Sequence, residues 1–282
     1  MLTWHYFAIA TVLTGSIASL LLRALMKNEE NDPILFSIIF QFILTAVVFV
    51  YSLSRGFVFP PPLHLLPLFA LSAVLYAAGS LSMFRASSYI GAGEMTILTA
   101  GGSVITILLG VFLTHNSFSL ANVAGVALIL ASIVVLYAKE KLKMNAGVWY
   151  ALVVAVTFGT AVVSDSVIIK TYSPTSFVPI MCFLPGLILL ILFPRSILKV
   201  KKLLRPKPLS HIVIYSVFYA ISAVTYYLAL DSGATVSQLS PINRASIITT
   251  VLLASIFLNE KKDMTRKLLS AALVTAGVFL LA

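Results

Sequence analysis

The chain alternates long apolar stretches with short polar connections along its whole length. Ten apolar stretches can be counted, each of roughly 17 to 25 residues, the length of an α-helix that crosses a hydrocarbon core of about 30 Å. They cover approximately residues 3–25, 33–53, 65–86, 94–114, 118–138, 146–169, 175–193, 211–230, 235–258 and 266–282. Connections such as NEENDP, RGFVFPPP and RPKP contain proline, which cannot continue a helix. The pattern predicts an all-α integral membrane protein with ten transmembrane helices.

Composition excludes other classes of protein. Only 10% of the residues are charged, against about a quarter in soluble domains. The net charge of +10 comes from Lys and Arg between the apolar stretches, and no basic face with interleaved aromatics indicates nucleic-acid binding. Cys182 is the single cysteine, and no cluster has the spacing of metal ligands, of a phosphate-binding loop or of a catalytic triad. We therefore predict no catalytic residue, no metal and no cofactor, and not an enzyme.

A shift of about 145 residues relates the two halves of the chain. It places Trp4 on Trp149 and His115 on Glu260, and it aligns LILASIVVL with LVTAGVFLL. Each half then holds five stretches, which predicts one repeat over residues 1–143 and a second over 144–282. Because five is odd, the second repeat must be inverted in the membrane relative to the first, as in many secondary transporters.

The basic residues give an orientation. Of the 19 Lys and Arg residues, sixteen lie on or beside the connections after stretches 1, 3, 5, 7 and 9. Arg55 and Lys170 lie on the other side, and Arg244 lies within a stretch. The excess of Lys and Arg in cytoplasmic connections predicts that the basic side faces the cytoplasm of a cell-membrane protein. Both termini would then lie outside the cell.

Two motifs carry a family resemblance. They are FRASSYIGAGEMTILTAGGSVITILLGVF in the first half and YYLALDSGATVSQLSPINRASIITTVLLASIFLNEKK in the second, followed by ANVAGVALILASIVVL and LLSAALVTAGVFLL. With them the chain resembles the drug/metabolite transporter superfamily, in particular its EamA-like members, over essentially its whole length. The resemblance implies two fused five-helix units and the transport of small molecules, without naming the substrate. Glu260 matches the acidic residue that closes the family's motif, whereas the first half has Thr114, His115 and Asn116 there.

The ninth stretch contains the most informative polar residues. Arg244, Asn243 and Gln238 lie in its first half, where an arginine at the centre of a helix costs about 2.5 to 3.5 kcal/mol on insertion scales. The planar guanidinium of Arg244 suits a carboxylate or another anionic group. The alternatives are an internal salt bridge or a tilt that brings Arg244 to the membrane surface.

Four further residues are candidates for substrate binding. Asp165 is the depth-matched partner of Arg244, in a structural pair or as a proton-coupling carboxylate. Tyr76 and Gln41 lie near the depth of a midplane site, although either could simply bond between helices. Glu94 begins the fourth stretch, where the helix dipole or a pair with Arg85 would explain it without a role in transport.

The function predicted is that of a secondary transporter. It would export or exchange a small polar metabolite, such as an amino acid or another carboxylate-bearing solute, by alternating access around a midplane cavity. Its partners would be the small-molecule substrate and the lipid bilayer, with protons as a candidate coupling ion, in a monomer or homodimer. The alternatives are a membrane-embedded lipid-handling protein or enzyme, and a membrane scaffold that transports nothing.

Overall fold

The computed structural model of the chain describes residues 3–28, 31–114, 119–137, 145–203, 206–234 and 236–281. These residues form α-helices, and the described ranges contain no β-strand. The helices are α1 (Thr3–Met26), α2 (Pro33–Ser54), α3 (Leu66–Tyr89), α4 (Ala92–Thr99), α5 (Gly102–Thr114), α6 (Leu120–Tyr137), α7 (Ala146–Ile168), α8 (Pro174–Leu192), α9 (Val200–Leu203), α10 (Pro206–Asp231), α11 (Val236–Phe257) and α12 (Met264–Leu281).

Nine helical segments within the described ranges are long and apolar enough to cross a membrane. They match nine of the ten predicted stretches and indicate a multi-pass membrane protein. The remaining stretch forms α11, whose 22 residues have the required length, and its described second part, Ala245–Phe257, is an apolar helix. Because several side chains in its first half lie outside the described part of the structure, the tenth span stays a prediction.

The predicted fourth span is broken into α4 and α5. At the break the amides of Gly101, Ser103 and Val104 bond the carbonyls three residues earlier, which tightens the backbone into a short 3₁₀-like turn. A side chain on Gly102 would begin 2.8 Å from the carbonyl oxygen of Ala155. Glycine therefore allows α5 to cross α7 closely just after the break.

One end of the helix bundle, which we call the basic end, holds the connections predicted to be cytoplasmic. Lys199 Nζ lies 2.5 Å from Asp32 Oδ2, which joins the connection after α8 to the one after α1. Arg23 Nη1 donates to the carbonyl oxygen of Ser87 at 2.7 Å, which brings the end of α1 to the end of α3. The connections between α2 and α3 and between α7 and α8 meet at the other end, the opposite end, where Tyr172 Oη donates to the carbonyl oxygen of Val58 at 2.5 Å.

The helices of the first half, α1–α6, pack mainly on those of the second half, α7–α12. The pairs are α1 with α10 and α11, α2 with α8 and α10, α3 with α7 and α8, α4 with α7 and α11, α5 with α7, and α6 with α12. Small residues occupy the crossings. A side chain on Gly125 of α6 would begin 2.7 Å from the carbonyl oxygen of Gly277 of α12, and the reverse distance is the same. Such small residues let apolar helices pack closely where burial from water supplies no driving force.

Candidate functional site

A central cavity of about 350 Å³ lies between the two halves of the bundle. Helices α2 and α3 line it from the first half, and α7, α8 and α10 line it from the second. The wall is mostly apolar and aromatic, and among its described residues Asp165 is the charged one. Small-molecule sites are typically concave and mostly apolar, with few polar groups, and this cavity fits that description.

Asp165 is held by two hydroxyl groups of α3. Ser72 Oγ donates to Asp165 Oδ1 at 2.7 Å, and Tyr76 Oη donates to Asp165 Oδ2 at 2.5 Å. The two hydroxyls are four residues apart and therefore share one face of the helix. Gly79 brings this face onto α7, because a side chain there would begin 2.3 Å from the ring of Phe158.

Ser80 continues the same face of α3 one turn further along. Its side chain is 1% exposed and lines the central cavity. Its Oγ is buried without a hydrogen-bond partner in the described part of the chain. A buried hydroxyl without a partner is unfavourable, so Ser80 offers a donor and an acceptor to a molecule in the cavity.

Gln41 reaches the cavity from α2. Its side chain is 5% exposed and lies against α8, where a side chain on Gly186 would begin 3.0 Å from Gln41 Cβ. Gly186 follows Pro185 in α8, so this crossing combines a helix position that lacks an amide donor with one that lacks a side chain. Gln41, Tyr76 and Asp165 thus line one cavity, as expected for residues of a common site.

A second cavity of about 640 Å³ adjoins the first. The two share Val162, Tyr219, Ala223 and Tyr227 in their walls. Asn243 lines the second cavity, and its Oδ1 is buried without a partner in the part of the chain that the structure describes. The two cavities together bring polar groups of α3, α7 and α11 towards one space.

The structure does not describe the side chains of the other two candidate residues on α11. Gln238 and Arg244 lie within the helix, but their side chains lie outside the described part of the structure. The described partners of Asp165 are Ser72 and Tyr76. The predicted pair between Asp165 and Arg244 therefore stays a prediction.

Glu94 lies away from the central cavity, at the basic end. It accepts a hydrogen bond from the hydroxyl of Tyr137, and it lines a separate cavity of about 160 Å³ beside Lys262 and Lys267. Arg85, its expected partner, lies instead with its guanidinium 5.5 Å from the ring centre of Tyr150. α4 begins at the basic end and places Glu94 there, so the predicted role of Glu94 in substrate binding stays a prediction.

The basic end is closed by an ion pair between α1 and the end of α11. Arg23 Nε lies 3.5 Å from Glu260 Oε1, and the two side chains are 16% and 15% exposed. The amide of Ala92, at the start of α4, lies 3.4 Å from the same oxygen. Glu260 Oε2 is buried without a hydrogen-bond partner among the described residues. This closure is therefore attractive but incompletely satisfied.

A small cavity of about 120 Å³ lies between this closure and the central cavity. Ser87 and Ala92, which contact Arg23 and Glu260, line it on one side. Met83 and Phe158 line both the small and the central cavity. An apolar layer and an ion pair thus separate the central cavity from the basic end.

A known family model matches nearly the whole chain. The model of the EamA-like transporter family matches it twice, over residues 2–138 and 145–282. The chain belongs to the EamA-like transporter family. This EamA-like protein is a membrane transporter and a multi-pass membrane protein, and the resemblance found in its sequence is confirmed.

Solved structures share the fold. One of them, described as "Crystal structure of protein", superposes with a TM-score of 0.65 at 17% identity, over 99% of this chain and 96% of that one. At this level of identity the similarity concerns the fold alone. No curated protein sequence matches the EamA-like chain closely. In the described part of the chain, no group of three or more His, Cys, Asp or Glu side chains could hold a metal ion.

Several residues of the candidate site were not expected from the sequence. Tyr226 and Tyr227 line the cavities, although positions near a helix end are typical of aromatic anchors at the membrane surface. Ser72 and Ser80 were not singled out either. Their spacing of four residues on either side of Tyr76 was the available signal, because it places three hydroxyl groups on one face of an otherwise apolar helix.

Proposed function

We propose that this protein is a secondary transporter that exports or exchanges a small polar metabolite, such as an amino acid or another carboxylate-bearing solute, across the cell membrane. The observation that carries the proposal is the cavity between the two halves, with Gln41, Tyr76 and Asp165 in its wall. Polar and charged residues inside membrane helices are costly and usually face a functional cavity.

The depth of Tyr76 supports a site near the middle of the membrane. Tyr76 lies ten residues after Leu66, the first residue of α3, which corresponds to about 15 Å along the helix. This is half of a hydrocarbon core of about 30 Å. Substrate sites of secondary transporters lie near this depth, between the repeats.

The helix pairs support two inverted repeats, which we assign to residues 1–143 and 144–282. In this assignment α1 corresponds to α7, α2 to α8, α3 to α10, α4 with α5 to α11, and α6 to α12. Exchanging the halves then converts the contact of α1 with α10 into the contact of α7 with α3. The same exchange converts α1 with α11 into α7 with α4 and α5, and α2 with α10 into α8 with α3. All of these contacts are present. With five spans in each repeat, the second copy must be inverted.

The closure at the basic end supports alternating access. A solute in the central cavity faces the Met83 and Phe158 layer, the small cavity and the Arg23–Glu260 pair on that side. Towards the opposite end, Asp165 lies three residues before the end of α7, and Phe177 lies three residues after the start of α8. We propose that rocking of the halves breaks the Arg23–Glu260 pair and connects the three spaces to the basic end.

The roles proposed for Arg244 and Asp165 in binding come from the sequence. Arg244, with Asn243 and Gln238, would bind an anionic group of the solute through the planar fork of the guanidinium. Asp165 would pair with Arg244 when the site is empty, and protons are a candidate coupling ion. The unpartnered Oδ1 of Asn243 in the adjoining cavity supports a polar ligand on this side.

Uptake and efflux by the purified chain in lipid vesicles test the proposal. The vesicles would be offered a mixed panel of amino acids, other carboxylates and neutral metabolites, with and without a pH gradient. We expect saturable flux of at least one solute, strongly reduced in Arg244→Gln and weakened in Arg244→Lys, which keeps the charge but loses the bidentate geometry.

Vesicles without protein and the surface variant Lys170→Gln are the controls, because Lys170 is exposed at the opposite end. Flux that is the same in wild type and Arg244→Gln would remove Arg244 from the site. Absence of saturable flux for every solute, with lipid filling the cavity of the purified protein, would favour the lipid-handling alternative.

A further inference from the structure

The carboxylate of Asp165 has unused hydrogen-bonding capacity. Ser72 and Tyr76 each donate one hydrogen bond, to Oδ1 and Oδ2 respectively. An ionised carboxylate has about four lone-pair sites on its two oxygens, so about two remain. Both donors are neutral hydroxyls, which orient the carboxylate without cancelling its charge.

The carboxylates that do form a described ion pair lie at the basic end. Their pairs are Arg23–Glu260, Lys199–Asp32 and Arg266–Asp263. Among the described side chains, no Lys or Arg forms an ion pair with Asp165. A negative charge in a membrane helix is stabilised by a positive partner, and a solute ammonium can be that partner when it fills the cavity. If Arg244 pairs with Asp165 in the empty state, the solute ammonium would take its place.

Aromatic rings surround the same space. The rings of Tyr76 and Phe158 lie 5.4 Å apart between centroids, and Tyr219, Tyr227 and Phe40 also line the central cavity. The face of an aromatic ring carries negative charge density and attracts ammonium groups when water is excluded. The same faces, together with Asp165, repel a carboxylate.

We infer that Asp165 binds a positively charged amino group of the transported solute, and that the central cavity selects amine-bearing solutes with an apolar or aromatic body over simple carboxylates. The inference rests on the proposed function and narrows its substrate class, so that an amino acid is favoured over other carboxylates. Ser80, with its unpartnered hydroxyl, supplies a further polar contact beside the bound amine. The second cavity, with Asn243, accommodates the rest of the solute.

Three probes of the same shape isolate the charge. Phenethylammonium, 2-phenylethanol and 3-phenylpropanoate share one aromatic body and carry a positive, a neutral and a negative end. Their binding to the purified full-length protein in detergent at neutral pH is measured by thermal stabilisation over a concentration series. We expect phenethylammonium to bind wild type about ten-fold more tightly than 2-phenylethanol, a difference typical of a desolvated charged contact, and 3-phenylpropanoate to bind most weakly.

Two variants locate the effect. Asp165→Asn should lose the preference for phenethylammonium over 2-phenylethanol. Asp263→Asn makes the same chemical change at the basic end, far from the cavity, and should keep it. Both must elute as monodisperse protein before the comparison.

The wild type alone can overturn the inference, whether or not Asp165→Asn folds. Equal binding of the alcohol and the ammonium, or tighter binding of the carboxylate, contradicts it. A preference for ammonium that survives in Asp165→Asn also contradicts it. The vesicle experiment distinguishes failure of the proposed function from failure of this inference. Selective binding without flux contradicts the proposed function. Flux of carboxylates that lack an amine contradicts this inference but leaves the assignment as a transporter intact.

Discussion

The two ends of the bundle are held together by different chemistry. At the basic end the halves are joined by the ion pairs Arg23–Glu260 and Lys199–Asp32. At the opposite end they are joined by neutral hydrogen bonds, from Tyr172 to the carbonyl oxygen of Val58 and from the Val58 amide to Ser176 Oγ. A neutral hydrogen bond contributes about 0.5 to 1.5 kcal/mol net, whereas breaking a buried ion pair from one side costs about 3 to 5 kcal/mol.

This difference suggests how the protein favours one conformation. The Arg23–Glu260 pair lies mostly buried behind the small cavity, so opening the basic end requires two charges to separate. Yet Nε of Arg23 and Oε2 of Glu260 lack hydrogen-bond partners among the described residues, which lowers the cost of separation. In the rocking motion proposed above, such a closure would hold one state and still be released.

The largest effect is expected from Glu260→Gln. The change leaves the Arg23 guanidinium mostly buried without its counter-charge, and it removes the charge at the start of α4. Because both side chains are partly exposed, we expect a loss of about 1 to 3 kcal/mol from the closed basic end, or roughly a 5- to 150-fold shift towards the open one.

Cysteine labelling measures this shift. In a Cys182→Ser background, Thr96→Cys reports on the small cavity, which Thr96 lines. An impermeant thiol reagent should label it faster when Glu260→Gln is added. Asp263→Asn, close in sequence but outside the pair, should leave the labelling rate unchanged. Equal rates in the presence and absence of Glu260→Gln would mean that the pair does not close this end.

A smaller effect is expected from Tyr172→Phe at the opposite end. The variant removes the hydroxyl that bonds the Val58 carbonyl at 2.5 Å but keeps the ring, which contacts Phe69 with centroids 5.8 Å apart. We expect a loss of about 1 kcal/mol, seen as a modest fall in thermal stability. A fall in thermal stability as large as the fall caused by Glu260→Gln would contradict the difference between the two ends.

The smallest effect is expected from Asp32→Asn. Partial burial favours the neutral acid, but hydrogen bonds from Lys199 and the Ile34 amide, with the Lys199 charge, lower the pKa of Asp32 below its ordinary value. A lowered pKa in the folded state means that the pair contributes at neutral pH and that this contribution is lost as the pH falls through that pKa. Asparagine keeps the helix cap but removes the charge.

Lys199 is largely exposed, and such pairs contribute about 0 to 1 kcal/mol. Thermal stability at neutral pH should therefore change little in Asp32→Asn, and the small difference should disappear in high salt. A difference that persists in high salt would point to a lost cap rather than a lost ion pair.

The sequence predicts the spans well and their faces poorly. Apolar stretches, proline-bearing connections and the one-sided Lys and Arg residues indicate the helices and the basic end. The break between α4 and α5 cannot be predicted from the sequence because Gly101 and Gly102 do not interrupt the apolar stretch. Their consequence depends on α7, where Ala155 and Gly159 approach the backbone of α5.

Contacts between helices account for the other differences. Depth can be read from a residue's position along a span, which is why Gln41 and Tyr76 are predicted near a midplane site and Asp165 at the depth of Arg244. The face cannot be read when nearly every residue of a helix is apolar. Tyr227 lies near the end of a span, where aromatic anchors of the membrane surface are common, yet it lines the cavity. Glu94 contacts Tyr137 at the basic end, and its predicted role in substrate binding stays a prediction.

Distance measurements between spin labels test most directly the claim that the two ends open alternately. In a Cys182→Ser background, labels at Lys27→Cys and Lys261→Cys flank the Arg23–Glu260 closure, and labels at Arg55→Cys and Thr171→Cys flank the contacts at the opposite end. All four positions are exposed. In lipid nanodiscs we predict that Glu260→Gln lengthens the distance at the basic end and shortens the distance at the opposite end. Unchanged distances at both ends, or lengthening at both, would contradict a rocking motion around the central cavity.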